Sequence, residues 1–175
     1  DDGADILTAD WDPARNPTTK PLIAAARAHG VKIVPMVGNA TEGRFDAGRI
    51  DRMLAPANAS HVMDRLIDFV TVNDFAGLQI DFEQMTPAQI VRVVPWIAQL
   101  RQRLNAQGKE LSIALEVSLS DADIRALSGV VDYAAIMAYD EHGEDSRPGP
   151  ISSALFVDKA ISRFTRLVPA DKLIL

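Results

Sequence analysis

The sequence predicts an α/β fold: a (β/α)8 TIM barrel, incomplete in this chain, with about six of the eight strands present. Three observations lead there. Short apolar, β-rich runs alternate with amphipathic stretches along the whole chain, which requires parallel strands joined by right-handed crossovers. Six such units occupy 175 residues, against ~250 for a complete barrel. No glycine-rich phosphate loop follows the first run, which disfavours the other architecture that fits, an open doubly wound sheet.

The elements follow in order. The first strand is 6–9, closed by a turn with Asp12-Pro13 and Asn16-Pro17. A helix over 19–29 has Pro21 in its first turn and Gly30 at its stop. Residues 31–37 form the second strand, ended by Gly38-Asn39. A polar loop leads to a helix over 59–72, whose Val62, Leu66, Phe69 and Val70 fall on one face. The third strand is 77–82. Thr86-Pro87 opens a long helix to about 107, and Gly108 follows it. The fourth strand is 111–117, a short helix spans 122–127, and the fifth strand is 133–139. A loop rich in Gly, Asp and Pro precedes a helix over 152–167, and 172–175 begins the sixth strand. The chain starts Asp1-Asp2-Gly3 without Met and ends in the apolar run Leu173-Ile174-Leu175. It therefore reads as one barrel domain, 1–175, within a longer polypeptide.

Composition narrows the function. At 47% hydrophobic and 24% charged residues the chain has an ordinary globular balance. Its net charge of −6 repels phosphate backbones, so nucleic acid is not the expected partner. The absence of cysteine excludes disulfides, thiolate metal sites and Cys nucleophiles together. No apolar run approaches the ~20 residues of a membrane-spanning helix.

The richest segment is Gly77-Leu78-Gln79-Ile80-Asp81-Phe82-Glu83. Side chains alternate across a strand, so Leu78, Ile80 and Phe82 share a face that packs under the helices. Gln79, Asp81 and Glu83 share the other face, which points into the barrel. Three polar groups on an inward face are costly to bury without a purpose, and barrel active sites sit at the C-terminal ends of the strands. Two carboxyls about 6–7 Å apart along a strand repel, so one can hold a proton near neutral pH. A protonated Glu is what a general acid needs to protonate a leaving-group oxygen. The alternative is a strand end whose carboxylates are satisfied by backbone amides or an arginine.

The fifth strand carries the second motif. Ala135, Met137 and Tyr139 share a face by alternation, which brings the Tyr139 hydroxyl to the same mouth as Glu83, with Met137 a soft wall beside it. The alternative for both is ordinary barrel core. Asp140-Glu141-His142 enters the loop. As a metal site it would offer hard oxygens and one imidazole with no second His cluster, so no metal or cofactor is expected. Glu116 leans inward at the end of the fourth strand, as a further carboxylate or as a Glu paired with an arginine. His29 suits a helix C-terminus, and His61 lies near a helix start. Trp11, after the first strand, is placed to stack on a sugar face, whereas Trp96 lies mid-helix and reads as core.

These residues resemble glycoside hydrolase family 18, the chitinase-like family. Its signature is Asp-x-x-Asp-x-Asp-x-Glu at the end of one barrel strand; aligned on Glu83, this chain reads Ala76, Gln79, Asp81, Glu83. The family's Met-x-Tyr-Asp motif is intact as Met137, Ala138, Tyr139 and Asp140. The resemblance covers nearly the whole chain, from about the family's second strand into its seventh. With Pro148-Gly149-Pro150-Ile151 it is nearest to a bacterial branch of peptidoglycan-acting cortex-lytic enzymes and of barrels fused to glycosyltransferase and polysaccharide deacetylase domains.

The resemblance implies retaining, substrate-assisted hydrolysis of a β-linked polymer containing N-acetylglucosamine, chitin-like, peptidoglycan or exopolysaccharide. It is an exception to the two-carboxylate scheme. Glu83 would protonate the glycosidic oxygen, and the sugar's acetamido oxygen would attack the anomeric carbon. Asp81 would orient the acetamide N–H and stabilise the oxazolinium intermediate. Tyr139 would hydrogen-bond the acetamido oxygen, with Gln79, Met137, Asp140 and Trp11 as substrate-binding residues. An extracytoplasmic or cell-envelope location is expected, with glycosyltransferase or deacetylase domains as covalent neighbours. Two positions depart from the pattern: the family's first two aspartates are Ala76 and Gln79. The second normally shares a proton with the third, and an amide can bond Asp81 but cannot exchange a proton with it. A catalytically weak or inactive glycan-binding barrel is therefore the alternative, followed by a structural domain of a cell-wall assembly and by a metal-dependent barrel enzyme.

Overall fold

The computed structural model describes residues 16–41, 43–143 and 146–175, so the expected strand 6–9 and Trp11 lie outside the described residues. Among the described residues six α-helices, α1 (Thr19–Ala28), α2 (Ala47–Met53), α3 (Ala59–Val72), α4 (Pro87–Asn105), α5 (Asp121–Ser128) and α6 (Ala154–Phe164), are interspersed with the strands. Five of the strands form one sheet: β1 (Met36–Gly38), β4 (Gly77–Asp81), β5 (Glu110–Glu116), β6 (Tyr133–Met137) and β7 (Leu173–Ile174). Their order is β1-β4-β5-β6-β7, and every pair is parallel. Each new strand is added on the same side of the last. A doubly wound sheet reverses its order at a switch point; among the described strands there is no reversal, so the sheet is an arc of a barrel.

The alternation predicted for the strands is what the sheet shows. Leu78, Ile80 and Phe82 of β4 and its extension, Leu111, Ile113 and Leu115 of β5, and Ala134 and Ile136 of β6 are buried under the helices. They pack against Leu66, Val93, Ile97, Leu100, Leu104 and Phe164. Burial of this many aliphatic side chains, at roughly 1.5–3 kcal/mol each, is the main force holding helices to sheet. Gly77 marks a point of close approach: a Cβ there would lie 2.2 Å from the Glu110 carbonyl oxygen.

Local chemistry sets the helix ends. Thr86 and Gln89 form a reciprocal capping box at the start of α4, with Pro87 in its first turn. Pro95 sits inside α4, where proline costs ~3 kcal/mol; the helix continues because Trp96, Ile97, Leu100 and Leu104 beyond it are buried. Trp96 also donates its indole N–H to the Ala59 carbonyl at 3.0 Å, which makes it core, as expected.

Three features differ from expectation. The strand expected over 31–37 is reduced to Met36–Gly38. Pro35 has no N–H to give, and Ile33 and Pro35 serve β4 as carbonyl acceptors from Ala76 and Gln79, each at 2.9 Å. The expected polar loop contains a small hairpin, β2 (Ala40–Thr41) with β3 (Arg44–Phe45), and then α2. Asp46 caps α2 by accepting from the Gly48 N–H at 2.8 Å, and Ile50 anchors it at 1% exposure. The fifth strand stops at Met137, so Tyr139 lies just beyond it. Among the described residues no helix is long and apolar enough to cross a membrane.

Candidate active site

The C-terminal ends of β4, β5 and β6 meet at one mouth. Glu83, Glu116, Val117, Ser118, Met137, Tyr139 and Asp140 line a single cleft there. The pairing Ser112 with Gln79 and Ile113 with Ile80 on one side, and Glu116 with Met137 on the other, brings these inward-facing residues side by side. The chain turns sharply just beyond two of them: Gln84 and Asp140 both have left-handed backbone, φ 57° and 62°. Such conformations in non-glycine residues concentrate at functional sites.

Asp81 is the buried member, at 8% exposure. Its Oδ1 is fully enclosed and accepts no hydrogen bond from any described residue. Burial pushes its carboxyl above the usual carboxylate range, and the charge of Glu116 adds to this. Gly38 lies alongside on β1; a Cβ there would come within 3.1 Å of the Asp81 carbonyl oxygen.

Glu83 is pushed up to about 7. Burial is the largest cause, followed by the charges of Asp81 and Glu116, a hydrogen bond with the Glu116 carboxyl and the charge of Asp140. A carboxylic acid that keeps its proton to neutral pH is a working general acid. The Tyr139 hydroxyl is likewise raised, first by burial and then by Asp81, Glu83 and Asp140. It is half exposed and available to a ligand.

The shift at Glu83 has a consequence for stability. The folded protein holds this proton to about pH 7, whereas the free carboxyl releases it near 4.5. The contribution to stability is present below the unfolded value and is lost as pH rises through the folded one. Glu83→Gln in the complete protein is therefore expected to raise Tm by about 2–4 °C at pH 8 and by less at pH 4.5. Thermal melts at the two pH values check this; equal differences at both would contradict it.

Asn39 holds the acid strand in place. It is 2% exposed; its Nδ2 donates to the Glu83 carbonyl at 3.0 Å and its Oδ1 accepts from the Glu83 N–H at 2.9 Å. The side chain thus acts as one more rung of the β1–β4 ladder where the strands end. Nothing in local sequence marks it except its place directly after β1. Asn39→Ala leaves two main-chain groups unsatisfied, which costs about 1–3 kcal/mol each when buried, and frees Glu83 to shift. The expected result is lower stability in denaturant and about a tenfold fall in kcat. Unchanged stability would refute the clamp.

The remaining predicted residues are dispersed. Gln79 faces inward one layer lower, in a hollow with Ser112 and Tyr133, and does not reach the enclosed Asp81 oxygen. Glu141 accepts from the Ser153 N–H at 2.7 Å, and His142 Nδ1 lies 2.9 Å from the Pro150 carbonyl oxygen, so both organise the loop. No group of three or more His, Asp or Glu side chains among the described residues is arranged to hold a metal ion. The sequence leaves Glu116 as either a further carboxylate at the mouth or the partner of an arginine. It accepts from the Gln84 N–H at 3.4 Å and the Ser118 hydroxyl at 3.3 Å, not from an arginine, and it borders the cleft beside Glu83.

Known proteins carry the same arrangement of strands and helices. The family described as Glycosyl hydrolases family 18 matches residues 6–175. The Bacillus subtilis protein YdhD, named as a sporulation-specific glycosylase, is 30% identical over 154 residues, covering 82% of this chain and 37% of that protein. Its crystal structure superposes with a TM-score of 0.83 over 95% of this chain and 58% of that one. A class V chitinase from Pseudomonas fluorescens Pf-5 superposes with a TM-score of 0.85 at 27% identity, over 96% and 57%. The spore cortex-lytic enzyme SleL of Bacillus megaterium, at 18% identity, shares the fold with a TM-score of 0.80 over 89% and 38%. The chain spans little more than a third of the YdhD sequence.

Proposed function

The chain belongs to glycosyl hydrolase family 18, and its fold is part of that family's (β/α)8 barrel; from this premise we propose that it carries the acid site of a retaining, substrate-assisted hydrolase. The substrate is a β-linked polysaccharide containing N-acetylglucosamine. One observation supports this most: Glu83 keeps its proton to about pH 7 at the mouth of a cleft it shares with Tyr139 and Asp140.

Glu83 delivers that proton to the glycosidic oxygen as the bond to the anomeric carbon breaks. The acetamido oxygen of the same sugar attacks from the other face, so no enzyme nucleophile is needed. Asp81, two residues before Glu83 on the same inward face, accepts the acetamide N–H through its carboxyl and stabilises the positive oxazolinium ring. Tyr139 donates its hydroxyl to the acetamido oxygen and aligns it. Water then opens the ring, with Glu83 as base, and retention follows from the two inversions. Met137 and Asp140 wall the same sugar. The names of the similar spore proteins support action on cell-wall or spore polysaccharide, outside the cytoplasm.

A second reading, a glycan-binding barrel with weak or no turnover, is favoured by one feature. Ala76 and Gln79 stand where the family has aspartates. The test is to incubate the complete protein with N-acetylglucosamine oligomers and with peptidoglycan and to measure new reducing ends. Cleavage supports the hydrolase; oligomer binding without cleavage supports the binding barrel.

A further inference from the structure

Glu116 ends β5 on the inner face, opposite Met137 of β6. On its other side the register pairs Gln79 with Ser112 and Ile80 with Ile113. Carried forward by the same step, it sets Glu116 beside Glu83. The two carboxyls border the same cleft, where Glu116 raises Glu83 both by its charge and as a hydrogen-bonding neighbour. Two carboxyls can share a hydrogen bond only when one is protonated, and the surroundings decide which. Glu116 accepts from the Gln84 N–H through Oε1 and from the Ser118 hydroxyl through Oε2. With donors on both of its oxygens, Glu116 is placed as the acceptor of the pair and Glu83 as the donor.

We propose that Glu116 is the proton-sharing partner of Glu83, a positioning residue that holds the acid's proton and aims its carboxyl at the leaving-group oxygen. The proposal rests on the hydrolase reading above and extends it. In the family motif a neighbouring aspartate exchanges a proton with Asp81; here that position is Gln79, which does not reach the enclosed Asp81 oxygen. The carboxyl pair is thereby re-formed across two strands, between Glu83 and Glu116.

The other charged groups that face this pair have the same sign. They are the carboxyls of Asp81 on β4 and Asp140 beyond β6; Tyr139 beside them stays neutral, its hydroxyl raised first by burial and then by these carboxyls. Arg163 of α6, the cation packed behind the loop after β5, is turned away. Its guanidinium donates to the Val117 and Leu119 carbonyls and to Asp121. Glu116 therefore contributes both repulsion and a hydrogen bond that keep Glu83 protonated.

The test compares pH profiles of kcat/KM on N-acetylglucosamine oligomers for the complete wild-type protein, Glu116→Gln and Glu116→Asp. In Glu116→Gln the alkaline limb is expected to move down by about one pH unit. That is about a tenfold loss at pH 8 with less than about a threefold change at pH 5. Glu116→Asp keeps the charge but withdraws it by one methylene, and should move the limb the same way by less. This second variant decides the matter if the Gln variant fails to fold. A uniform loss at every pH with the limb in place would show a structural role only and overturn the proposal, as would an unchanged profile. A carboxyl-carbon NMR titration of Glu83 in the same proteins needs no substrate. If the wild type cleaves nothing, the hydrolase reading fails, while an unchanged Glu83 titration in Glu116→Gln would sink the Glu116 proposal alone.

Discussion

Glu83→Gln in the complete protein is expected to lower kcat/KM on N-acetylglucosamine oligomers by at least about 10²-fold at pH 6. The amide has nearly the shape of the protonated acid and can still donate to Glu116, so the cleft keeps its form. What it cannot do is transfer a proton to the departing oxygen. Positioned general acids contribute about 10²–10⁴-fold, the role proposed for Glu83. Burial and the charges of Asp81, Glu116 and Asp140 all favour the protonated form of Glu83. Oligomer affinity should be retained, since Tyr139, Met137 and Asp140 still line the cleft. Steady-state kinetics beside a binding titration check both parts; a loss smaller than about tenfold would assign the acid elsewhere.

Asp81→Asn should have the second-largest effect, about 10²–10³-fold in kcat. In the proposed mechanism the carboxylate is needed only when positive charge develops on the oxazolinium ring, so the loss should fall on kcat more than on KM. The variant is not expected to unfold. The Asp81 carboxyl is already disfavoured as an anion, first by burial and then by Glu116, and its Oδ1 has no partner to lose. Folding stability at pH 8 should therefore match or exceed that of the wild type, so an activity loss there is a chemical loss. Removing this charge also relieves the repulsion on Glu83, so the alkaline limb should move to lower pH. A melt and a pH profile on one preparation separate these effects, and a fall in Tm equal to that of a large core truncation would contradict them.

The parts of the fold that were legible in the sequence are those governed by a short period. Alternation in β4, β5 and β6 assigned every side chain to a face, because one face must bury against helices. It also placed Asp81, Glu83 and Glu116 inward. The capping signal at Thr86 located the start of α4 to the residue. Legibility ended where a residue's reason lies far along the chain. Asn39 reads as a turn residue, yet both of its hydrogen bonds go to Glu83, 44 positions away. Glu116 was legible as inward but not as the partner of Glu83, since pairing across strands depends on register, which no local pattern states. The hairpin and α2 were missed because 39–58 has few periodic apolar residues, and α2 is anchored by a single fully buried one, Ile50. Pro35 shortened β1 by a rule that could have been applied in advance.

In the proposed mechanism the substrate's own acetamide is the nucleophile, and Glu83 serves first as acid and then as base. The most direct test is the anomeric configuration of the first product, followed by proton NMR while the complete protein cleaves an N-acetylglucosamine oligomer, before mutarotation mixes the anomers. Two inversions predict that the new reducing end is released as the β anomer. Release as the α anomer would mean a single displacement by water and would contradict the account.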